Sequence, residues 1–261
     1  MRTRRHLAAG RTFFLPAVLA LTGWAGVGAQ EAARVEALPS ARSLIDTYVV
    51  ALGGKQAFLA VQSMKMTGRI EFPAAGIAGS LEIQAMPPNK ILLVVDIPGL
   101  GKILEGFDGQ VAWSIDPNMG PRVKDGDELK QSRFLADFYG PLHAEGRFQS
   151  METLEKTALD GVPCYKVRLV TRDGDETFEY FDVASGLMVA SEMAAKTAMG
   201  TLNVLSKIAD YTTIGSVKLP ARMSQKIGPM EQTMTMSDIE LDAVDPAAFE
   251  LPAEIRALVA E

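Results

Sequence analysis

Ser63-Met-Lys-Met-Thr-Gly-Arg-Ile-Glu-Phe72, then Pro-Ala-Ala-Gly76, then Ile77-Ala-Gly-Ser-Leu-Glu-Ile-Gln-Ala-Met86 is the stretch that decides the fold class of this chain. In the first run Met64, Met66, Gly68, Ile70 and Phe72 share one parity, while Lys65, Thr67, Arg69 and Glu71 share the other. That is the period-2 pattern of a strand buried on one face. Three more such runs follow at once, Lys90–Ile97, Lys102–Phe107 and Gln110–Ile115, joined by Pro-Pro-Asn, Pro-Gly-Leu-Gly and Asp-Gly turns. Antiparallel strands joined this tightly form a meander, and its apolar face must cover something apolar.

A second block continues the pattern: Met151–Leu159, Pro163–Thr171, Glu176–Asp182, Leu187–Thr197, Leu202–Thr213, Val217–Gln225 and Met230–Leu241. Asp160-Gly161, Arg172-Asp173-Gly174, Ser185-Gly186 and Ile227-Gly228-Pro229 punctuate it as hairpin turns. Helical periodicity sits before and between the blocks. Ser40 is placed to cap a helix whose stripe is Leu44, Ile45, Tyr48, Val49 and Leu52, Gly53-Gly54 stops it, and Lys55–Val61 resumes it. Asp125-Gly-Asp-Glu128 resembles a capping box for a helix running to Gly140-Pro141, with Phe134, Leu135, Phe138 and Tyr139 on a wide apolar arc. Ala253–Val259 gives a last helical turn. The reading is mainly β: an antiparallel, incomplete barrel of about 11–12 strands with helices over its concave face.

The first 29 residues have the make-up of an export signal: the basic start Met1-Arg-Thr-Arg-Arg5, an apolar stretch from Phe13 to Ala25, and Val27-Gly28-Ala29 as small residues for cleavage. The expectation is a periplasmic protein that begins at Gln30, with a flexible segment over residues 30–39 and one domain over residues 40–261. Gln30, not Cys, stands directly after Ala29, so the lipidated form of the signal is not met. Without the four arginines of the leader, 22 basic residues face 32 acidic ones, a formal charge of −10. Such a surface repels nucleic acid and offers no polybasic attraction to anionic lipid. Cys164 is the single cysteine, so no intrachain disulfide forms, and it shares strand parity with Lys166 and Arg168.

Groups capable of chemistry are few. Beyond the leader, His143 is the single histidine. Gly-x-Ser-x-Gly, His-Glu-x-x-His and paired cysteines are all missing, so serine hydrolase, zinc protease and dithiol readings fall away. Gly99-Leu-Gly101 lacks the following helix of a phosphate cradle and reads as a turn. Asp173, Asp175, Glu176 and Glu179 read as a solvated acidic turn, since Gly174 comes too early for a calcium loop. The expectation is no enzyme, no metal and no cofactor.

What remains is apolar surface. Twelve methionines follow the leader, nearly all within strand runs, and their unbranched thioethers adapt to ligands of irregular shape. The residues expected to line an apolar cavity are Met64, Met66, Ile70 and Phe72, Leu81 and Ile83, then Leu93 and Val95. With them go the aromatics Phe107, Trp113 and Tyr180, the methionines Met234 and Met236, and Phe134 and Phe138 from the covering helix.

Three stretches, Gly79–Lys90, Phe107–Pro117 and Tyr180–Leu187, carry a resemblance to the bacterial periplasmic lipoprotein carrier family and its outer-membrane lipoprotein-sorting relatives. The similarity spans roughly residues 40–252. It implies an unclosed barrel whose apolar concave face, covered by helices, takes up lipoprotein acyl chains or another lipid. It also implies a monomer that meets a membrane-bound envelope partner. One position departs: the carrier has a basic residue just before its Pro-Asn pair that helps to hold the helical lid closed, whereas here that residue is Pro87. The alternative from another class is an envelope interaction or sensor module of the same fold that transfers no lipid.

Overall fold

The computed structural model describes residues 37–198 and 200–260, of which residues 38 onward form one compact unit. The proposed leader and cleavage site lie outside the described residues.

Thirteen strands make one antiparallel sheet: β1 (Met64–Phe72), β2 (Ile77–Met86), β3 (Lys90–Ile97), β4 (Gly101–Phe107), β5 (Ala112–Asp116), β6 (Gly120–Lys124), β7 (Phe148–Leu159), β8 (Val162–Thr171), β9 (Glu176–Asp182), β10 (Met188–Thr197), β11 (Gly200–Ile214), β12 (Val217–Ile227) and β13 (Met230–Leu241). Their spatial order is β6-β5-β4-β3-β2-β1-β13-β12-β11-β10-β9-β8-β7. Two meanders are thus stitched together where β1 pairs with β13, and β6 and β7 are left as free edges. The sheet is an unclosed barrel. The chain crosses the gap between the two edges through α3 (Gly126–Leu135), a 3-10 turn (Gly140–His143) and α4 (Ala144–Arg147).

β6 is the strand that the sequence pattern misses. Gly120-Pro-Arg-Val-Lys124 is short and carries a proline, which is tolerated because β6 is an edge strand. The helix expected to run to Gly140 ends at Leu135, so Phe138 lies beyond it, with its N–H bonded to the Pro88 carbonyl at 3.1 Å.

Helix α1 (Ala41–Ala51) is capped as its sequence demands, Ser40 Oγ accepting from Ser43 N at 3.1 Å. It buries Leu44, Ile45 and Tyr48 against Phe148, Val167, Leu169 and Phe181, filling the barrel over β7–β9. Helix α2 (Lys55–Ala60) places Phe58 between that cluster and a second one of Val217, Leu219 and Ile239. The face that carries these helices is the inner face. On the outer face, a 3-10 turn (Pro246–Phe249) and α5 (Ala253–Val259) pack on β3 and β6. Ile255 is fully buried there, and Lys90 lies over the Phe249 ring at 5.9 Å.

Candidate functional site: the inner face of the sheet

Register assigns each strand residue to a face, because residues paired across antiparallel strands project to the same side. Met64, Met66, Ile70 and Phe72 pair with Ala85, Ile83, Gly79 and Ile77. Leu81, Ile83 and Ala85 pair in turn with Val95, Leu93 and Ile91, and Ile91 with Phe107. On the other side Ile70 pairs with Met234, and Met234 with Met223. All of these lie on the inner face. Many are apolar yet only half-buried, among them Met64, Met66, Ile83, Leu93, Ile103, Met193, Met223 and Met236. In a closed core such side chains lose their exposure altogether. Here they keep it, so the inner face borders open space.

Two of the expected lining residues project the other way. Trp113 pairs with Gly106, whereas Phe107 pairs with Ala112, which puts Trp113 on the outer face beneath the C-terminal segment. A Cβ on Gly106 would sit 2.4 Å from Trp113 Cζ2, so only glycine admits the indole. Tyr180 is also on the outer face. It pairs with Lys166 and Ala190, while its neighbour Phe181 faces inward and packs on Tyr48 at 5.6 Å between ring centroids. Lys166 covers the outer pair, its ammonium 4.6 Å from the Phe178 ring and 5.2 Å from the Tyr180 ring. Cys164, on the same outer face, is fully buried, and burial raises its thiol pKa, the opposite of activation.

Helix α3 covers the mouth and is fastened at four places. Arg122 of β6 clasps Glu128 through two bonds of 2.6 and 2.8 Å, holding the carboxyl below its ordinary pKa. Gln131 docks on the backbone of β10: its Nε2 donates to the Ala194 carbonyl and its Oε1 accepts from Lys196 N, both at 2.8 Å. β9 has no pairing with this end of β10, so the Gln131 amide stands where a strand would. Arg147 stacks on Phe134 with its guanidinium carbon 3.9 Å from the ring centroid and donates to the Phe134 carbonyl at 3.2 Å. Beyond the helix, the Tyr139 hydroxyl donates to the Val61 carbonyl at 2.8 Å. Gly140 leaves room for Arg147, since a Cβ there would fall 2.0 Å from Nη1 and the guanidinium would have to shift. Phe134 and Phe138 both face inward, Phe134 edge-on to Phe148 and Phe138 in the cluster around Val61.

The inner face also carries polar groups that sequence reasoning did not single out. Glu179, grouped with the acidic turn in the sequence, stands instead on the inner face of β9, paired with Val167 and Ser191. Deep enclosure in the barrel raises its carboxyl pKa to about 7, opposed by the charge of Arg147. Its carboxyl makes no hydrogen bond to any described residue. Close by, burial lifts the Tyr48 hydroxyl to about 12 and moves Tyr211 upward as well, so both stay neutral at physiological pH, and Tyr211 donates to the Met188 carbonyl at 2.7 Å. His143 Nδ1 lies 3.0 Å from Asp137, which also faces Arg147 at 3.7 Å. Among the described residues there is no cluster of three or more His, Cys, Asp or Glu placed to hold a metal.

Solved structures with the same architecture exist. The chain is similar to a DUF1329 family protein from Desulfovibrio piger ATCC 29098, with 13% identity and a TM-score of 0.58 over 83% of this chain and 100% of that one. It is also similar to a LolA superfamily protein from Nitrosomonas europaea, with 13% identity and a TM-score of 0.55 over 82% and 99%. The fold is therefore LolA-like: an open antiparallel barrel with helices in its mouth. No family model and no curated protein matches the chain.

Proposed function

We propose that this is an exported, periplasmic lipid- or lipoprotein-binding protein that holds acyl chains against the inner face of its open barrel, with no chemical step. The observation that carries the reading is the inner-face set of half-buried apolar residues, from Met64, Met66 and Ile83 to Met223 and Met236. Each methylene moved from water to that face gains about 0.8 kcal/mol. Ten buried methylenes gain about 8 kcal/mol before ordering costs, enough for reversible uptake. The four fastenings of α3 and its neighbours are small polar contacts, which suits a cover that shifts to admit a chain and closes again. The protein works as a monomer and hands its ligand to, or reports it to, a membrane-bound envelope partner. Native mass spectrometry of protein purified from its own envelope tests this. The expected spectrum contains a bound species with the mass of a lipid or acylated protein, and a spectrum of bare protein at every collision energy would oppose it.

A further inference from the structure

One cross-strand row on the inner face is polar from end to end over five strands. Gln232 of β13 pairs with Gln225 of β12, Gln225 with Ser206 of β11, Ser206 with Ser191 of β10, and Ser191 with Glu179 of β9. The same row continues through Val167 to Thr153 of β7. Its two neighbours are mostly apolar: Met230, Ile227, Val204 and Met193 on one side, Met234, Met223 and Ile208 on the other.

Half of this row satisfies itself and half does not. Gln232 Nε2 donates to Gln225 Oε1 at 2.8 Å, and Gln225 Nε2 donates to Ser206 Oγ at 3.1 Å. Ser191 and Glu179 have no such partner among the described residues, and Thr153 Oγ1 is buried without one. Polar groups set into an apolar face and left unpaired cost stability, so a folded chain keeps them where something else completes them. Ser191 and Glu179 are half-buried, so their polar groups are open to a partner from outside the chain.

We propose that the row Gln232–Gln225–Ser206–Ser191–Glu179 binds the uncharged, hydrogen-bonding linkage of an acyl lipid, a glycerol ester or an N-acyl amide, with hydrocarbon lying along the methionine-bearing rows beside it. This rests on the acyl-binding reading above and specifies which amphiphiles that site selects. Amides and hydroxyls supply donors for an ester or amide carbonyl, and Glu179 accepts from a glycerol hydroxyl or an amide N–H. The row itself contains no cation. Its one ionisable member is an acid, so a free carboxylate or phosphate laid on it meets like charge. Arg147, the cation that faces Glu179, lies outside the row, bonded to the Phe134 carbonyl at 3.2 Å and 3.7 Å from Asp137.

The test is displacement of the apolar fluorophore N-phenyl-1-naphthylamine from the full mature chain by three amphiphiles of equal chain length: monomyristoylglycerol, myristate and tetradecylamine. Monomyristoylglycerol should displace the fluorophore at a concentration at least about tenfold below the other two, the worth of one or two hydrogen bonds. In the Ser191→Ala and Ser191→Ala/Gln225→Leu proteins that preference should shrink and then vanish while fluorophore binding persists. The single variant keeps the result interpretable if the double one melts early. Equal displacement by all three, preference for myristate or the amine, or a preference that survives both variants would overturn the linkage proposal alone. Failure of the fluorophore and all three amphiphiles to bind would sink the acyl-binding reading and this proposal together.

Discussion

On β1–β4 the inner face is almost wholly apolar, and the outer face of β3–β6 lies under the C-terminal segment, so hydrophobic side chains point both ways. On β9–β13 the inner face carries a row of amides, hydroxyls and a carboxyl, and the outer face around Phe178 and Tyr180 is closed by Lys166. The same hairpin repeated around one sheet therefore yields two kinds of wall. The first is a two-sided core that supplies stability, and the second a one-sided wall that leaves polar groups facing the groove. The two halves thus differ in what their inner and outer faces carry, and substitutions on the outer and inner faces should have separable effects.

The largest effect is expected on the first half. Trp113→Ala empties an almost fully buried site under α5, and such truncations cost about 3–5 kcal/mol. For a domain of this size the melting temperature should fall by roughly 6–15 °C. At a temperature where the variant is folded, the affinity for N-phenyl-1-naphthylamine should be unchanged, because the indole lies on the outer face. A matching loss of affinity would mean that the two walls are not independent.

Glu179→Gln tests the second half through pH. An acid whose folded-state pKa is about 7, above its ordinary value of 4.5, fits the fold fully while protonated, and stability is lost as pH rises from about 4.5 to about 7. At pH 8 the variant should be more stable than the parent by on the order of 2 kcal/mol, and at pH 4, below the ordinary carboxyl pKa, the two should melt together. Arg147 opposes the effect, and Tyr48 and Tyr211 do not ionise in this range. Equal differences at both pH values would show that the carboxyl is ionised throughout and not enclosed.

Gln131→Ala removes both bonds between α3 and β10 and should cost about 1–2 kcal/mol. Amide exchange at Lys196 should speed up while that of β3 and β4 stays as it was. The smallest effect belongs to Lys166→Met, which exchanges a cation over two rings for an apolar cover. A change of about 0.5–1 kcal/mol in stability and none in ligand binding is expected from denaturant melts.

Strands and helices were largely legible in the sequence because period-2 alternation and Gly/Pro turns dominate it. β2, β3, β9 and β13 have the bounds that the pattern indicates, and α5 spans Ala253–Val259 as its composition suggests. Face assignment was harder, for a physical reason. Parity along the chain does not carry through a hairpin, and the Asp108 turn pairs Phe107 with Ala112, one residue short of Trp113. In β9 Tyr180 reads as inward, but it is outward with Phe178, because Lys166 covers a small apolar cluster on the outer face. The polar row was invisible for a related reason. Gln225, Ser206, Ser191 and Glu179 are far apart in sequence, and only the strand order brings them into line.

If acyl chains lie on the inner face, an indole there and an indole on the outer face should respond differently to bound lipid. Trp113 is the one tryptophan among the described residues, which makes it a natural reporter for the outer face. The decisive measurement is fluorescence quenching by a monoacylglycerol with a dibrominated stearoyl chain, in the parent and in a Trp113→Phe/Met66→Trp protein whose indole is moved to the inner face. Bromine quenches only at short range, so binding on the inner face should give strong, saturable quenching in the double variant and almost none in the parent. Quenching of Trp113 in the parent, or none in the double variant under conditions where the lipid binds, would contradict it.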